Sequence, residues 1–198
     1  MDSTEANIEQ FLDYFKILKG DEKGEAQVFC DRLFQAFGHK GYKEAGATLE
    51  YRVKRKNRTG FADLYWDERL IIEMKKKGED LSKHYEQLRD YWHDAYPKTR
   101  YSILCNFEEF WIYDFLHQSE AVDRVKIQDL AKRYTAFNFM FPEEKKPIFH
   151  NDTVEVSKTT ANKVSQIFNS LIKRGEDREI AQRFVLQCIF SMFAEDFK

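Results

Sequence analysis

Apolar positions along the chain change their period from about four to two and back again, and that change alone lays out the elements. In "IEQFLDYFKIL" and "GEAQVFCDRLFQAFG" they recur at helical spacing, with Phe29, Leu33 and Phe37 on one stripe and Val28 and Phe34 beside it; Gly38 is placed to end the second helix. The period then drops to two. "TLEYRVK" alternates Leu49, Tyr51 and Val53, and "GFADLYW" and "RLIIEMK" follow as strands around a turn at Asp67 and Glu68. "DLSKHYEQLRDYWHDAY" is predicted as a helix stopped by Pro97, and "RYSILCNF" and "EFWIYDF" as two more strands, rich in β-branched and aromatic residues. The order is α-β-β-β-α-β-β, an α/β arrangement. "KIQDLAKRY" is a further helix, "FPEEKKPIFHND" a charged, proline-containing linker, and "TTANKVSQIFNSLIKRG" and "EIAQRFVLQCIFSMFAEDFK" are strongly periodic helices. The expected division is one α/β domain over residues 1–141, a linker over 142–152 and an all-helical segment over 153–198.

The last helix carries Phe184, Val185, Leu186, Ile189, Phe190, Met192 and Phe193, apolar almost all round. Such a helix needs cover on more than one side, so the expectation is a truncated helical region at the front of a longer protein; burial against the first domain is the alternative.

Composition narrows the class. With 198 residues, 42% of them hydrophobic and 16% aromatic, the chain can bury one full core or a core and a small appendage. It has no apolar run long enough for a membrane span, and its acidic, polar start does not resemble a signal peptide. Cys30, Cys105 and Cys188 are odd in number, far apart and set in apolar runs, which predicts reduced thiols in a core and a cytoplasmic protein. The five histidines show neither ligand spacing nor a catalytic partner. A formal charge of −2 argues against a general polyanion binder, but the charge is uneven. "RVKRKNR" places Arg52, Lys54, Arg55, Lys56 and Arg58 just before the β-hairpin, and Lys75, Lys76 and Lys77 follow it. The basic run, with Lys76 and Lys77, is a candidate for phosphate contact with DNA, against the alternative of an exposed strand end.

The hairpin itself holds polar residues where apolar ones are expected: Asp63, Glu73 and Lys75. If its loop spans Asp67 to Arg69, Trp66 pairs with Leu70, and Asp63 lies opposite Glu73 with Lys75 two residues further along the same face. A two-residue loop would put the acids on opposite faces, so a shared site requires the odd-length turn. The other face then holds Ala62, Leu64, Trp66, Leu70, Ile72 and Met74. Two carboxylates fixed side by side repel one another and gain most by sharing a hard divalent cation with oxygen ligands, Mg²⁺ or, in its place, Mn²⁺. The backbone carbonyl of Met74 is a third candidate ligand. Lys75 is then placed to hold or help deprotonate a water, or to neutralise charge on a phosphate.

Asp63, nine intervening residues and Glu73-Met74-Lys75 together resemble the signature of the PD-(D/E)xK nucleases, with Ala62 in place of the usual proline. The resemblance implies a restriction-endonuclease-like α-β-β-β-α-β core with a mixed sheet. "QLRDY" supplies Gln87 and Tyr91, similar to the QxxxY element that borders the active site in the RecB-like branch. "EAQVFCDRLFQAFG", "GFADLYWDERLIIEMKKKGEDLSKHYEQLRDYW", "CNFEEFWIYDF" and "FAEDFK" look like the amino-terminal nuclease domain and helical spacer start of the MmeI-like (type IIL/IIG) restriction-modification enzymes, over about Gly24 to Lys198. That resemblance implies a Mg²⁺-dependent, site-specific endonuclease acting on double-stranded DNA, with Asp63 and Glu73 holding metal, Lys75 acting on the water and Gln87 supporting the site. It also implies methyltransferase and target-recognition domains, for which no Asn-Pro-Pro-Tyr motif occurs within these residues. Glu25, on the early helix, is a candidate to extend the acidic centre, or a cap near the helix start. Other readings of the same residues are a solvent-facing hairpin with a lysine cluster, a RecB-like repair or recombination nuclease, and a catalytically silent DNA-binding scaffold.

Overall fold

The computed structural model describes residues 3–54 and 59–195. Helices α1 (Ser3–Phe15) and α2 (Glu22–Ala36) precede strands β1 (Ala47–Lys54), β2 (Thr59–Trp66) and β3 (Leu70–Met74). A 3₁₀ turn at Leu81–His84 leads into α3 (Tyr85–Asp94), followed by β4 (Tyr101–Cys105), β5 (Glu109–Tyr113), β6 (Asp123–Lys126) and the short helix α4 (Leu130–Arg133). The strands form one sheet in sequence order in which β3 and β4 are parallel and the other neighbours antiparallel. The parallel step needs a crossover, and α3 supplies it. This is the mixed α/β core expected from the sequence, with one addition. β6 is four residues long and buries Asp123 and Val125, so no run of alternating apolar residues announces it.

The sheet separates two apolar clusters. On one side α1 and α2 cover Leu64, Trp66, Leu70, Ile72 and Met74; on the other Leu88 and Tyr91 of α3 cover Val53, Tyr65, Ile71 and Leu104. Asp21 caps α2 by accepting from the backbone N–H of Lys23, and the chain leaves the helix through Gly38 at a left-handed φ of 88°. Phe29 sits at the centre of the first cluster with its ring 5.4 Å from Phe11, 5.1 Å from Phe107 and 6.0 Å from Phe110. Phe29→Ala is expected to lower stability by about 3–5 kcal/mol in urea denaturation, because three rings lose a partner at once. A loss below about 1 kcal/mol would show that the cluster can close over the gap.

The β2–β3 turn has the odd length that a shared site requires: Trp66 pairs with Leu70, and Asp67, Glu68 and Arg69 form the loop, Glu68 at φ 57°. The face assignment needs one correction. Ala62 does not share a cluster with Leu64 but lies on the α3 side with Val53 and Tyr91. The cause is a break in the β1–β2 ladder: Leu49 pairs with Leu64 and Tyr51 with Ala62, while Glu50 between them takes a left-handed φ of 49°. Leu49 therefore packs on the first cluster and Tyr51 on the second, and Asp63 sits at the break.

Residues Asp152–Lys198 form a second compact unit. It contains α5 (Thr153–Lys173) and α6 (Arg178–Glu195), joined through Gly175 at φ 89°. Ala181 and Val185 of α6 are buried, whereas Phe184, Leu186 and Phe190 are exposed. Cys188 is exposed as well, which corrects the expectation of three core thiols; Cys30 and Cys105 are buried. Among the described residues no helix is long and apolar enough to cross a membrane.

Candidate active site

Glu73 is the last residue but one of β3, between β2 and β4, and is almost completely buried. The β2–β3 ladder ends at Leu64 and Ile72, and the same register carried one residue on sets Asp63 across from Glu73. Asp63 is held by the strand it faces: its Oδ2 accepts from the backbone N–H of Met74 at 2.6 Å. In an extended strand the carbonyl of a residue projects to the same edge as its N–H, so Met74 offers its carbonyl on the Asp63 side. Lys75 is buried too, and its Nζ donates to Glu73 Oε1 at 2.7 Å. Gln87 reaches the same oxygen from α3, Nε2 donating at 2.5 Å, and also donates to the Tyr91 hydroxyl at 3.1 Å. The structure thus brings Asp63, Glu73, Lys75, Gln87 and Tyr91 into one place.

The electrostatics are those of crowded acids. Burial pushes the Glu73 carboxyl up to about 8, with the Asp63 charge adding to the rise and Lys75 opposing it. Burial also raises Asp63, against the pull of the Met74 N–H and Lys75. For Lys75, burial works against the ammonium, but the adjoining Glu73 outweighs it and the net direction is up. A carboxyl raised by folding contributes stability that is complete below its usual value of 4.5 and is lost as the pH climbs to about 8. In metal-free protein, Glu73→Gln should therefore melt progressively higher than wild type between about pH 5 and about pH 8. Melting curves that keep a constant spacing over that range would contradict the assignment.

Glu25 belongs to a cap and not to this centre. Its carboxylate accepts from the backbone N–H groups of Lys19, Gly20 and Asp21, at 3.1, 2.7 and 2.9 Å. Those hydrogen bonds, led by Asp21, hold its carboxyl below the usual range. The acid that α2 does bring into electrostatic reach of Asp63, Glu73 and Lys75 is Glu22, which sequence reasoning passed over. Its only signal is its place in the first turn of a helix that already carried a candidate acid.

Of the candidate phosphate-contact residues, Arg52, Lys54, Lys76 and Lys77 are exposed. The backbone N–H of Lys77 donates to the carbonyl of Gly20 at 3.1 Å, and its side chain lines a groove with Glu108, Glu109 and Lys126. Arg55, Lys56 and Arg58 lie outside the described residues.

The donor set fits a hard cation. Glu73 Oε2 is buried and has no hydrogen-bond partner, although Oε1 has two. A buried carboxylate oxygen left bare is costly unless something positive takes its place. Among the described residues no group of three or more His, Cys, Asp or Glu side chains converges as a ready cage. The set is two carboxylates and a main-chain carbonyl, suited to an ion that keeps several waters.

The six-stranded mixed sheet with its covering helices is consistent with a restriction-endonuclease-like fold. Residues 3–174 match the family described as "MmeI, N-terminal domain", and the chain belongs to that family. No curated protein matches it. Among solved structures it is similar to a chain in the cryoEM structure of a DrdV–DNA complex, with 13% identity and a TM-score of 0.48. That likeness covers 85% of this chain and 16% of the DrdV chain.

Proposed function

We propose that the chain is the Mg²⁺-dependent nuclease domain of a cytoplasmic type II restriction-modification enzyme that hydrolyses phosphodiester bonds in double-stranded DNA. The observation that carries this reading is the unpartnered Oε2 of Glu73, on a carboxyl that feels the Asp63 charge. Asp63, Glu73 and the Met74 carbonyl would hold the cation, Mn²⁺ serving in place of Mg²⁺, with Glu22 as a further acid in electrostatic reach. A divalent ion there supplies positive charge for the scissile phosphate and makes water more acidic.

The chain's own residues do the rest. Lys75, an ammonium with three donors, keeps one on Glu73 and turns its positive charge toward the reacting oxygens. Gln87 fixes the Glu73 carboxylate, so the remaining oxygen keeps one direction. Sequence specificity is proposed to lie in methyltransferase and target-recognition parts of a longer polypeptide.

Single-turnover cleavage of plasmid DNA by that polypeptide, with Mg²⁺ and then with chelator, tests the proposal. Cleavage is expected with the metal alone; equal cleavage in chelator would overturn it. If the basic run meets phosphates, replacing Lys54, Arg55 and Lys56 by alanine should weaken binding alike for all duplex sequences. It should also flatten the slope of log K against log salt by up to about 1 per residue. An unchanged slope would make the run a solvated surface.

A further inference from the structure

Gln87 holds Glu73 through a nitrogen that is itself held. A primary amide carries two donors on that atom, and here both are committed, to Glu73 Oε1 at 2.5 Å and to the Tyr91 hydroxyl at 3.1 Å. Where Tyr91 sits therefore decides where Gln87 points. The Tyr91 ring is buried on the α3 side of the sheet with Val53, Ala62 and Leu88, and it lies over Gly60 of β2. A Cβ on residue 60 would stand 2.5 Å from Tyr91 Cε1, 2.9 Å from its hydroxyl oxygen and 3.0 Å from Cζ. An aromatic ring has no flexible end with which to evade such a contact. Gly60 is not among the glycines with positive φ, so what the position requires is space and not an unusual backbone.

We propose that Gly60 is a positioning residue for the catalytic centre: its missing side chain lets Tyr91 approach β2, and Tyr91 through Gln87 sets the carboxylate of Glu73. The same strand carries Asp63 three residues further on. β2 thereby places one acid directly and orients the other by way of α3. What Glu73 does when oriented rests on the proposed nuclease function; the placement itself does not.

The test is run on the chain without metal and then with Mn²⁺. In wild type, the Gln87 side-chain amide should give a proton–nitrogen NMR signal displaced from that of free glutamine and slow to exchange. Gly60→Ala should return it toward the free position, and so should Tyr91→Phe, which keeps the ring but removes the acceptor and guards against a misfolded alanine variant. Calorimetric Mn²⁺ affinity should fall by about tenfold in Gly60→Ala, and Gly60→Ala/Gln87→Ala should bind no more weakly than Gln87→Ala alone. Gly60→Ala/Tyr91→Leu should regain the melting temperature without regaining the Gln87 signal or the affinity. An unchanged Gln87 signal in Gly60→Ala, additive losses in the Gly60→Ala/Gln87→Ala pair, or full recovery with Tyr91→Leu would overturn the proposal. A wild-type chain that binds no Mn²⁺ would remove the metal reading instead, and the amide signal would still decide the role of Gly60.

Discussion

Lys75→Ala is expected to lower the rate of DNA cleavage by about 10²–10⁴-fold, the range in which a positioned proton-transfer or charge-stabilising group acts. Binding of DNA and Mn²⁺ should change far less. Lys75 touches Glu73 Oε1 and leaves Oε2 alone, so the oxygen available to a cation survives the substitution. Removing the ammonium also withdraws a positive charge that competes with the metal, so affinity for Mn²⁺ should hold or rise. An interaction made only as charge develops lowers the rate without lowering ground-state affinity. Single-turnover cleavage, with the polypeptide in excess over plasmid, separates these quantities. It belongs on the proposed multidomain polypeptide, because holding DNA in place can account for about 7–11 kcal/mol of a barrier and the chain by itself should be much slower. A Lys75→Ala protein that cleaves at the wild-type rate would remove the catalytic reading of "EMK".

Loss of either acid should also be severe. Asp63→Asn and Glu73→Gln are each expected to reduce cleavage by about 10³-fold or more, since the charge a divalent ion contributes is worth several kcal/mol. These amide variants are preferable to alanine. Glu73→Ala would leave the Lys75 ammonium and one Gln87 donor facing a gap in a buried site, a destabilisation unrelated to metal. Glu73→Gln keeps the volume and never charges beside Asp63, so the metal-free protein should be at least as stable as wild type, by a margin that widens as the pH approaches about 8. Lost cleavage with retained folding marks the acids as functional, whereas wild-type cleavage in either variant would leave the substituted acid without a part in the reaction.

Most of the centre could be read from the sequence because it depends on local rules. The alternation of a strand fixes which residues share a face, and the parity of the turn then decides whether Asp63 and Glu73 meet; Trp66 pairing with Leu70 confirms that parity. Gln87 and Tyr91 are one turn apart on a helix that buries Leu88 beside Tyr91, so their common direction follows from helical spacing. What could not be read depends on contacts between distant segments. Glu22 and Glu25 share the first turn of α2, and only the path of Lys19–Asp21 across the helix start makes one a cap and leaves the other near the acids. The left-handed turn of Glu50, which moves Ala62 to the α3 side, has no marker in a residue type that rarely adopts it. Gly60 looks like an ordinary weak point in a strand until Tyr91 is seen against it. β6 buries a carboxylate, Asp123, held by Arg133 Nη2 at 2.6 Å and by the backbone N–H of His150 at 3.1 Å, so its signal lies in partners and not in hydrophobicity.

Asp63 and Glu73 are proposed above to hold a divalent cation together. Calorimetric titration of Mn²⁺ into the metal-free chain, with Asp63→Asn and Glu73→Gln measured beside wild type at one pH near 8, tests it most directly. A saturable binding heat in wild type that disappears in both variants is the result expected; the same heat and affinity in all three proteins would contradict it.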